Sequence, residues 1–319
     1  MPQKCALKKD DPIVITGAAG LVGVNLVTLL LEQGHTRITA LDKNKANIAI
    51  LQKLHPGVAV REVDLAEPGD WQAQVAAASV VFLLHAQIAA KTEATFTRNN
   101  VDATRLVLDA VAFEAFVVHV SSSVVHSAAD DAYVRTKRAQ EELVAASGKR
   151  HCIVRPTLMF GWFDGKHLGW LGRFMDRVPV FPIPGHGRYL RQPLYSRDLC
   201  RVLLALMELQ PNGPAYDLTG PEEITYIDII KTIRDVKRSR TLVLRIPYVA
   251  FDGLLRTFAM FSSRPPFTSE QLAALVVGDM FEGVDIEATF GFAPTPFRVA
   301  IEQTLCDPVY SSIVLESPH

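Results

Sequence analysis

The first half of the chain alternates short apolar runs with longer segments of helical periodicity. Apolar runs rich in β-branched residues predict buried strands at 12–16, 37–41, 58–63, 79–84, 116–120 and 152–154. Apolar residues that recur every three or four positions predict helices at 21–33, 100–113 and 133–146. Such alternation is typical of right-handed strand–helix–strand crossovers. It predicts an α/β fold with a Rossmann-type, doubly wound parallel sheet.

The regular alternation of strand and helix patterns ends after Arg155. Residues 156–191 are rich in Gly, Pro, Phe and Trp, and regular patterns return as a helix at 196–208 and a strand at 215–218. We therefore predict two units, which are a dinucleotide-binding domain (1–155 plus about 192–219) and a smaller, mostly helical C-terminal substrate lobe (about 156–191 plus 220–319). Within this lobe, the apolar stretch 242–261 predicts one amphipathic helix, either packed on a core or lying on a partner or membrane surface, and its charged residues make it unsuited to span a bilayer.

Composition and charge narrow the class of protein. The 319 residues are 49% hydrophobic and 21% charged, so the chain can bury a sizeable core. Lys and Arg total 33 against 34 Asp and Glu, which makes nucleic acid an improbable partner. The charged N-terminus is unlike a signal peptide, so we expect neither a membrane partner nor export. The four cysteines form no CxxC pair, and this fits a reducing cytoplasm: Cys5, Cys152, Cys200 and Cys306.

Three glycines lie between the first predicted strand and the first predicted helix. Gly17, Gly20 and Gly23 have the spacing GxxGxxG, in the strand–loop–helix context that a pyrophosphate-binding turn requires. Asp42 ends the second strand about 20 residues later, where an acid hydrogen-bonds the ribose of NAD and repels the extra phosphate of NADP. Asp64 follows the third strand, either to meet the adenine or to cap a turn. We predict NAD rather than NADP.

A second group of polar residues follows the fifth strand. Ser121–Ser123 end that strand, and Tyr133 and Lys137 come ten and fourteen residues after Ser123. Residues four apart lie on one face of a helix, so the phenol and the ammonium point the same way. A nearby ammonium lowers the pKa of a tyrosine, and a serine hydroxyl can hold the substrate oxygen. This pattern predicts hydride transfer to or from a secondary alcohol carbon, with Ser123, Tyr133 and Lys137 as catalytic residues.

The chain resembles the extended short-chain dehydrogenase/reductases, specifically the NAD-dependent epimerase/dehydratase family. The motifs that carry the resemblance are TGAAGLVG (16–23), LLHAQ (83–87), NNVDAT (99–104), SSS (121–123), YVRTK (133–137) and the Arg-Pro pair 155–156 with Phe-Gly 160–161. The resemblance, together with the loop pattern, implies cofactor contacts from Gly17, Ala19, Gly20, Leu21, Val22, Gly23, Asp42, Lys43, Asp64, Leu65, Leu84, His85, Ala86, Asn99, Ser121, Tyr133, Lys137, Pro156 and Thr157.

The resemblance also implies a substrate site and an assembly. Ser123 and Val124 would contact the substrate, and Arg188 and Arg191 would hold a nucleotide-sugar diphosphate, although an interdomain ion pair is the alternative for both arginines. A homodimer through helices 100–113 and 133–146 is implied as well. The histidines lack metal-ligand spacing, so we expect no metal site. The basic run 231–240 is interpreted as a solvated helix end.

Departures from the family pattern leave the substrate open. Val124 and Val125 replace the Asp-Glu pair of the dehydratases, which argues against a 4,6-dehydratase. His126 and Leu158 replace a tyrosine and an asparagine that are common in the family. The principal hypothesis is a nucleotide-sugar epimerase. The alternatives are a dehydrogenase or ketone reductase for a lipid-like or steroid-like molecule, and a non-catalytic dinucleotide-binding protein.

Overall fold

A seven-stranded, entirely parallel sheet forms the centre of the molecule. The computed structural model describes residues 7–128, 130–261 and 280–316. With strands numbered in chain order, the sheet order is β11-β6-β5-β4-β1-β2-β3, and every pair is parallel. Its strands are β1 Ile13–Thr16, β2 Ile38–Asp42, β3 Ala59–Glu62, β4 Val80–Leu83, β5 Phe116–Val120, β6 Arg150–Pro156 and β11 Ala215–Leu218. The predicted α/β, Rossmann-type fold is thereby confirmed.

Helices cover both faces of this sheet because the strands are apolar on both sides. Ile13 and Ile15 of β1 pack in one buried cluster, whereas Val14 between them packs in the other. Alternate residues of a strand point to opposite faces, so each apolar run serves two cores. One face carries α1 Leu21–Glu32, α2 Lys45–Leu54 and α8 Ser196–Leu209, and the other carries α3 Trp71–Ala76, α5 Ala103–Ala110 and α6 Ala132–Ala146.

A short irregular helical segment precedes α5. Here α4 Glu93–Phe96 leads into a π-helix, Thr97–Asp102, and then into α5. The sequence predicts one continuous helix over 100–113. The π-helical turn lies where the Asn-Asn pair of the resemblance falls, and such turns are frequent at functional sites.

The second half of the chain adds a lobe with its own buried cluster. Phe160, Ile183, Ile230 and Ile301 are among its members. The remaining elements are β7 Met159–Phe160, α7 Leu168–Met175, β8 Val180–Pro184, β9 Leu190–Arg191, β10 Leu194–Tyr195, β12 Ile224–Thr225, α9 Tyr226–Val236, β13 Leu242–Ile246, α10 Tyr248–Phe261, α11 Ile286–Phe290 and α12 Phe297–Cys306.

Two features differ from the sequence predictions for this lobe. The stretch 242–261 is a strand, Leu242–Ile246, followed by a helix, Tyr248–Phe261, and not one amphipathic helix. Pro247 separates the two elements, because a proline disfavours helix in the residue before it. In addition, Ile286 and Leu315 pack in a core cluster of the sheet although their sequence positions lie in the predicted lobe. Among the described residues, no helix is both long and apolar enough to cross a bilayer.

Candidate active site

The glycine loop is shaped by close backbone contacts that only glycine permits. Gly17 has φ +66°, and a Cβ there would lie 2.7 Å from the backbone N and Cα of His85. A Cβ at Gly23 would lie 2.5 Å from the Cα and carbonyl oxygen of Ala18, so this glycine allows α1 to pack on the turn. Gly20 caps α1 without a side-chain hydrogen bond. The free N–H groups of the first helical turn therefore remain available to an anion.

A cavity of about 170 Å³ lies beside this loop and gathers the residues predicted for the adenosine end of the cofactor. Asp42 accepts hydrogen bonds from the backbone N–H groups of Ala19 and Asn44, at 2.9 Å each, and burial raises the pKa of its carboxyl. Lys43 Nζ donates to Asn99 Oδ1 at 2.8 Å. The carboxylate at the end of β2 thus stands next to the glycine loop, as a ribose-binding acid requires.

Asp64 and Leu65 line the same cavity after β3. Arg98 donates to Asp64 Oδ2 at 2.8 Å, and its second terminal nitrogen pairs with Glu67. Burial works to raise the pKa of Asp64, but the hydrogen bond from Arg98 and its positive charge leave that pKa below the usual range. Arg98, which the sequence did not point to, therefore favours the ionised form of this carboxyl.

A larger cavity of about 590 Å³ extends from the glycine loop to the predicted catalytic residues. Its walls include Ser121–Val124 after β5, Tyr133 on α6 and Thr157 after β6. Leu84 and Ala86 line it as well, whereas Pro156 does not. The carboxyl ends of neighbouring parallel strands meet at this edge of the sheet, and this is where open α/β sheets bind ligands.

Lys137 is fully buried beneath this cavity. Its Nζ donates to the carbonyl oxygen of Val120 at 3.1 Å. Burial lowers the pKa of Lys137 to about 7, against the opposing negative charge of Glu141. The ammonium therefore loses its proton far more readily than an exposed lysine.

Tyr133 lies one helical turn before Lys137 and lines the cavity. Burial raises its pKa above the ordinary value, a hydrogen bond from Ser122 works in the opposite direction, and the charge of Asp131 raises it further. The sequence predicts the reverse direction, with Lys137 lowering this pKa. In this structure burial is the largest influence on the pKa of Tyr133, and it sets the upward direction.

The three serines after β5 differ in their surroundings. Ser122 bonds to Tyr133, a contact that the sequence did not predict. Ser123 is buried and begins a short 3-10 helix, Ser123–His126. Ser121 Oγ is buried at the cavity wall with no hydrogen-bond partner among the described residues. A buried hydroxyl without a partner fits a site that is completed by a polar ligand.

His85 belongs to a buried polar network under the cavity. Its Nδ1 lies 2.8 Å from Thr16 Oγ1, and its Nε2 lies 2.9 Å from Thr104 Oγ1, which also accepts from Gln140. Burial lowers the pKa of His85 to about 3, and the charges of Lys137 and Lys43 add to the effect. The imidazole is therefore neutral, and both of its ring nitrogens are used within the core.

The predicted substrate residues are only partly brought together. Val124 and Arg191 line the large cavity, and Arg191 is 8% exposed while its Nη1 donates to the carbonyl oxygen of Leu190. Arg188 is exposed and lies outside the lining. His126 also lies outside it and pairs with Asp217 at 2.7 Å, whereas Leu158 is part of the wall.

Several lining residues were missed because they come from distant parts of the chain. Asn47 of α2 exchanges two hydrogen bonds with the backbone of Glu316, at 2.8 and 3.0 Å. The Gln192 side chain accepts from the backbone of Phe281 at 2.9 Å. Asp164 accepts from three backbone N–H groups and so fixes the loop before α7. No local motif marks these contacts, although the Asp-Gly pair 164–165 signals a turn.

This geometry defines the class of protein as a dinucleotide-dependent enzyme of the extended short-chain dehydrogenase/reductase type. A comparison with known families matches residues 13–218 to the NAD dependent epimerase/dehydratase family, and the chain belongs to that family. Its cofactor is NAD. The residues present fit this group. The glycine loop leaves room for a pyrophosphate, and the N-terminus of α1 has free N–H groups to donate to it. Asp42 supplies a carboxylate acceptor, and the Ser121 hydroxyl lacks a hydrogen-bond partner among the described residues. Among the described residues, no cluster of His, Cys, Asp or Glu could hold a metal ion.

Similar proteins act on different molecules. Ceramide reductase of Caulobacter vibrioides is 30% identical over 177 residues, which are 54% of this chain and 53% of that protein. The 3 beta-hydroxysteroid dehydrogenase/Delta 5→4-isomerase of Mycobacterium tuberculosis is 24% identical over 94% of this chain and 90% of its own. Among solved structures, UDP-glucuronic acid 4-epimerase from Bacillus cereus in complex with NAD has a TM-score of 0.71 at 18% identity, covering 92% of this chain and 96% of that one. The structural likeness shows the fold.

Proposed function

We propose that this enzyme transfers hydride between NAD and a secondary alcohol carbon, with Ser123, Tyr133 and Lys137 as its catalytic residues. The observation that carries the proposal is the position of these residues. Ser123 and Tyr133 line the cavity whose other end is the glycine loop, and Lys137 lies one helical turn beneath Tyr133. The nicotinamide supplies the hydride acceptor or donor when it is bound.

Each of the three residues has a separate role in moving the proton. The Tyr133 phenolate takes the proton of the substrate alcohol as hydride leaves to the nicotinamide, and in the reverse direction the Tyr133 phenol gives its proton to the oxygen of the ketone. The Ser123 hydroxyl holds the same substrate oxygen. The hydrogen bond from Ser122 favours the phenolate form of Tyr133, and a proton on Lys137 favours it further. The proposal thus requires that cofactor binding shift the Tyr133 pKa downward from its raised value.

Nucleotide-sugars are the first substrate class that we propose, with an epimerisation as the reaction. Arg191 lines the cavity at 8% exposure, and a buried guanidinium is suited to bidentate contact with a diphosphate. Two neighbouring structures support this class by their names, since both are described as epimerases of UDP-linked sugars. In this reaction hydride would leave the sugar carbon and return to its other face.

A second substrate class, lipid-like or steroid-like alcohols and ketones, is favoured by the cavity wall. Val124, Leu158, Met159 and Phe281 all line the cavity that contains Tyr133. Sugar hydroxyls would find few polar partners on these side chains, whereas a hydrocarbon would bury apolar surface. The similarity to 3 beta-hydroxysteroid dehydrogenase, which extends over 94% of this chain, supports the same class.

The experiment that separates these classes starts from the nucleotide that the purified protein carries. Mass spectrometry after denaturation identifies it, and stoichiometric NAD supports a retained, recycled cofactor and hence epimerisation. An empty protein supports an exchangeable cofactor and net oxidation or reduction. Assays with UDP-sugars and with steroid and long-chain ketones then complete the test. No reaction with either class, in a protein that binds NAD, would favour a non-catalytic dinucleotide-binding protein.

The homodimer remains a proposal that rests on the family resemblance. It would pair the helices 100–113 and 133–146, now described as α5 and α6, with those of a second copy. Sedimentation velocity measures the mass directly, and a monomer at micromolar concentration would contradict it.

A further inference from the structure

A small parallel sheet in the second lobe has an apolar face that is exposed. Strands β8 and β13 pair in register, with Val180 beside Leu242 and Pro182 beside Leu244. Because side chains alternate along a strand, these four residues lie on the same face of the sheet. Leu242 is 68% exposed, Leu244 54% and Val180 40%. The face therefore presents aliphatic side chains where a solvated sheet normally carries polar ones.

On the opposite face, the side chains of β8 pack in the core of the lobe. Phe181 and Ile183 alternate with the exposed residues of β8, and they are 4% and 0% exposed. The sheet is thus anchored through the inner side of β8, while Val180, Leu242 and Leu244 on its outer side are exposed. An apolar face of this kind on a folded domain marks an interaction surface.

Helix α10 lies next to this sheet. Pro247 separates it from β13, and it contacts β8. Tyr248 and Val249 in its first turn are 38% and 81% exposed. We call Val180, Leu242, Leu244, Tyr248 and Val249 together the outer apolar face.

Two exposed arginines, Arg238 and Arg240, precede β13 in the chain and so lie beside the outer apolar face. In the part of the chain that the structure describes, no carboxylate lies within ion-pair distance of either one, whereas Lys231, Arg234 and Lys237 are all paired with aspartates. Aliphatic side chains next to unneutralised cations are complementary to a surface that is anionic outside and apolar inside.

We propose that the outer apolar face docks this enzyme on the surface of an anionic lipid bilayer. The aliphatic side chains would enter the boundary between headgroups and acyl chains, Tyr248 would lie at the headgroup level, and the arginines would contact lipid phosphates. From the sequence we expected no membrane partner, and we expected 242–261 to form one amphipathic helix. The observed strand turns Leu242 and Leu244 outward and so changes that expectation.

The test is co-sedimentation of the purified full-length protein with vesicles. Two compositions are used, phosphatidylcholine alone and phosphatidylcholine mixed with phosphatidylglycerol. We expect binding to the anionic vesicles that weakens as salt is added. The double variant Leu242→Ser/Leu244→Ser should reduce the partition coefficient at least tenfold, and Arg238→Gln/Arg240→Gln should reduce binding to anionic vesicles selectively.

A matched control removes an exposed aliphatic side chain elsewhere. Val309 is 58% exposed, close to the exposure of Leu244, so Val309→Ser should leave vesicle binding unchanged. The proposal is overturned if the wild-type protein pellets with neither vesicle, or if the leucine variant pellets like the wild type. It is also overturned if sedimentation velocity shows a complex of copies that the leucine variant dissociates, since this face would then join two chains.

Discussion

Replacing Gly17 by alanine tests the glycine loop most sharply. At φ +66° an L-residue costs about 1–2 kcal/mol, because its Cβ approaches the following carbonyl. The new Cβ would also lie 2.7 Å from two backbone atoms of His85 and 2.9 Å from the carbonyl carbon of Leu84, and backbone cannot rotate away. Such overpacking costs about 1–3 kcal/mol more. We expect Gly17→Ala to lose about 2–5 kcal/mol of unfolding free energy in total.

The chain offers a matched control for this substitution. Gly148 has φ +71°, and a Cβ there would meet nothing within 4 Å. Gly148→Ala therefore carries the conformational cost and the unfolded-state effect of the same substitution, without the collision. Unfolding by urea measures both variants, and calorimetric titration measures their NAD affinity. Because its glycine loop is displaced, the Gly17→Ala variant should bind NAD at least about tenfold more weakly than the wild type. The Gly148→Ala variant should bind NAD as tightly as the wild type. Equal losses of stability, or unchanged NAD affinity in Gly17→Ala, would refute this reasoning.

Four further predictions concern charge and closure of the site. Because burial lowers the pKa of Lys137 to about 7, the unfolded chain binds more protons than the folded chain between pH 7 and 10.5. Lys137→Met should therefore be more stable than the wild type at pH 7 in urea unfolding, and this advantage should shrink toward pH 10.5. The same variant should be inactive. Because the pKa of His85 is lowered to about 3, stability should fall as pH drops from 6.5 to 3, and less so in His85→Gln; an equal slope would contradict the buried neutral imidazole. Asn47→Ala should release the backbone of Glu316 and speed NAD dissociation in stopped flow, whereas an unchanged rate would show that this contact does not close the site. Arg191→Met should raise KM for a nucleotide-sugar with little change in kcat. If the variant and the wild type have the same KM, Arg191 does not contact the diphosphate.

The sheet and its ligand-binding edge could be predicted from local patterns. The apolar runs 79–84 and 116–120 contain β4 and β5, because strands buried on both faces are continuous apolar segments. Gly17, Asp42 and Tyr133 also lie where their spacing placed them, at the carboxyl edge of the sheet. These are short-range signals, since each strand–loop–helix unit carries its own.

The remaining features depend on contacts between distant residues. Asn47 and Glu316 are 269 positions apart in the sequence, so no local pattern indicates their hydrogen bonds. The raised pKa of Tyr133 follows from how deeply α6 packs, which no YxxxK spacing reveals. The stretch 242–261 has a helical pattern of apolar residues, yet pairing with β8 makes its first part a strand. Tertiary pairing overrides local periodicity there.

The central claim is that Tyr133 exchanges the proton while NAD takes or gives the hydride. Its most direct test compares the wild type with Tyr133→Phe, each saturated with NAD and mixed with the substrate that the assays identify. Calorimetric titration measures NAD affinity, and the absorbance of reduced nicotinamide measures hydride transfer in a single turnover. The account predicts equal NAD affinity and a rate that falls at least about a hundredfold in the variant. A variant that binds NAD and reduces it at the wild-type rate would contradict the account.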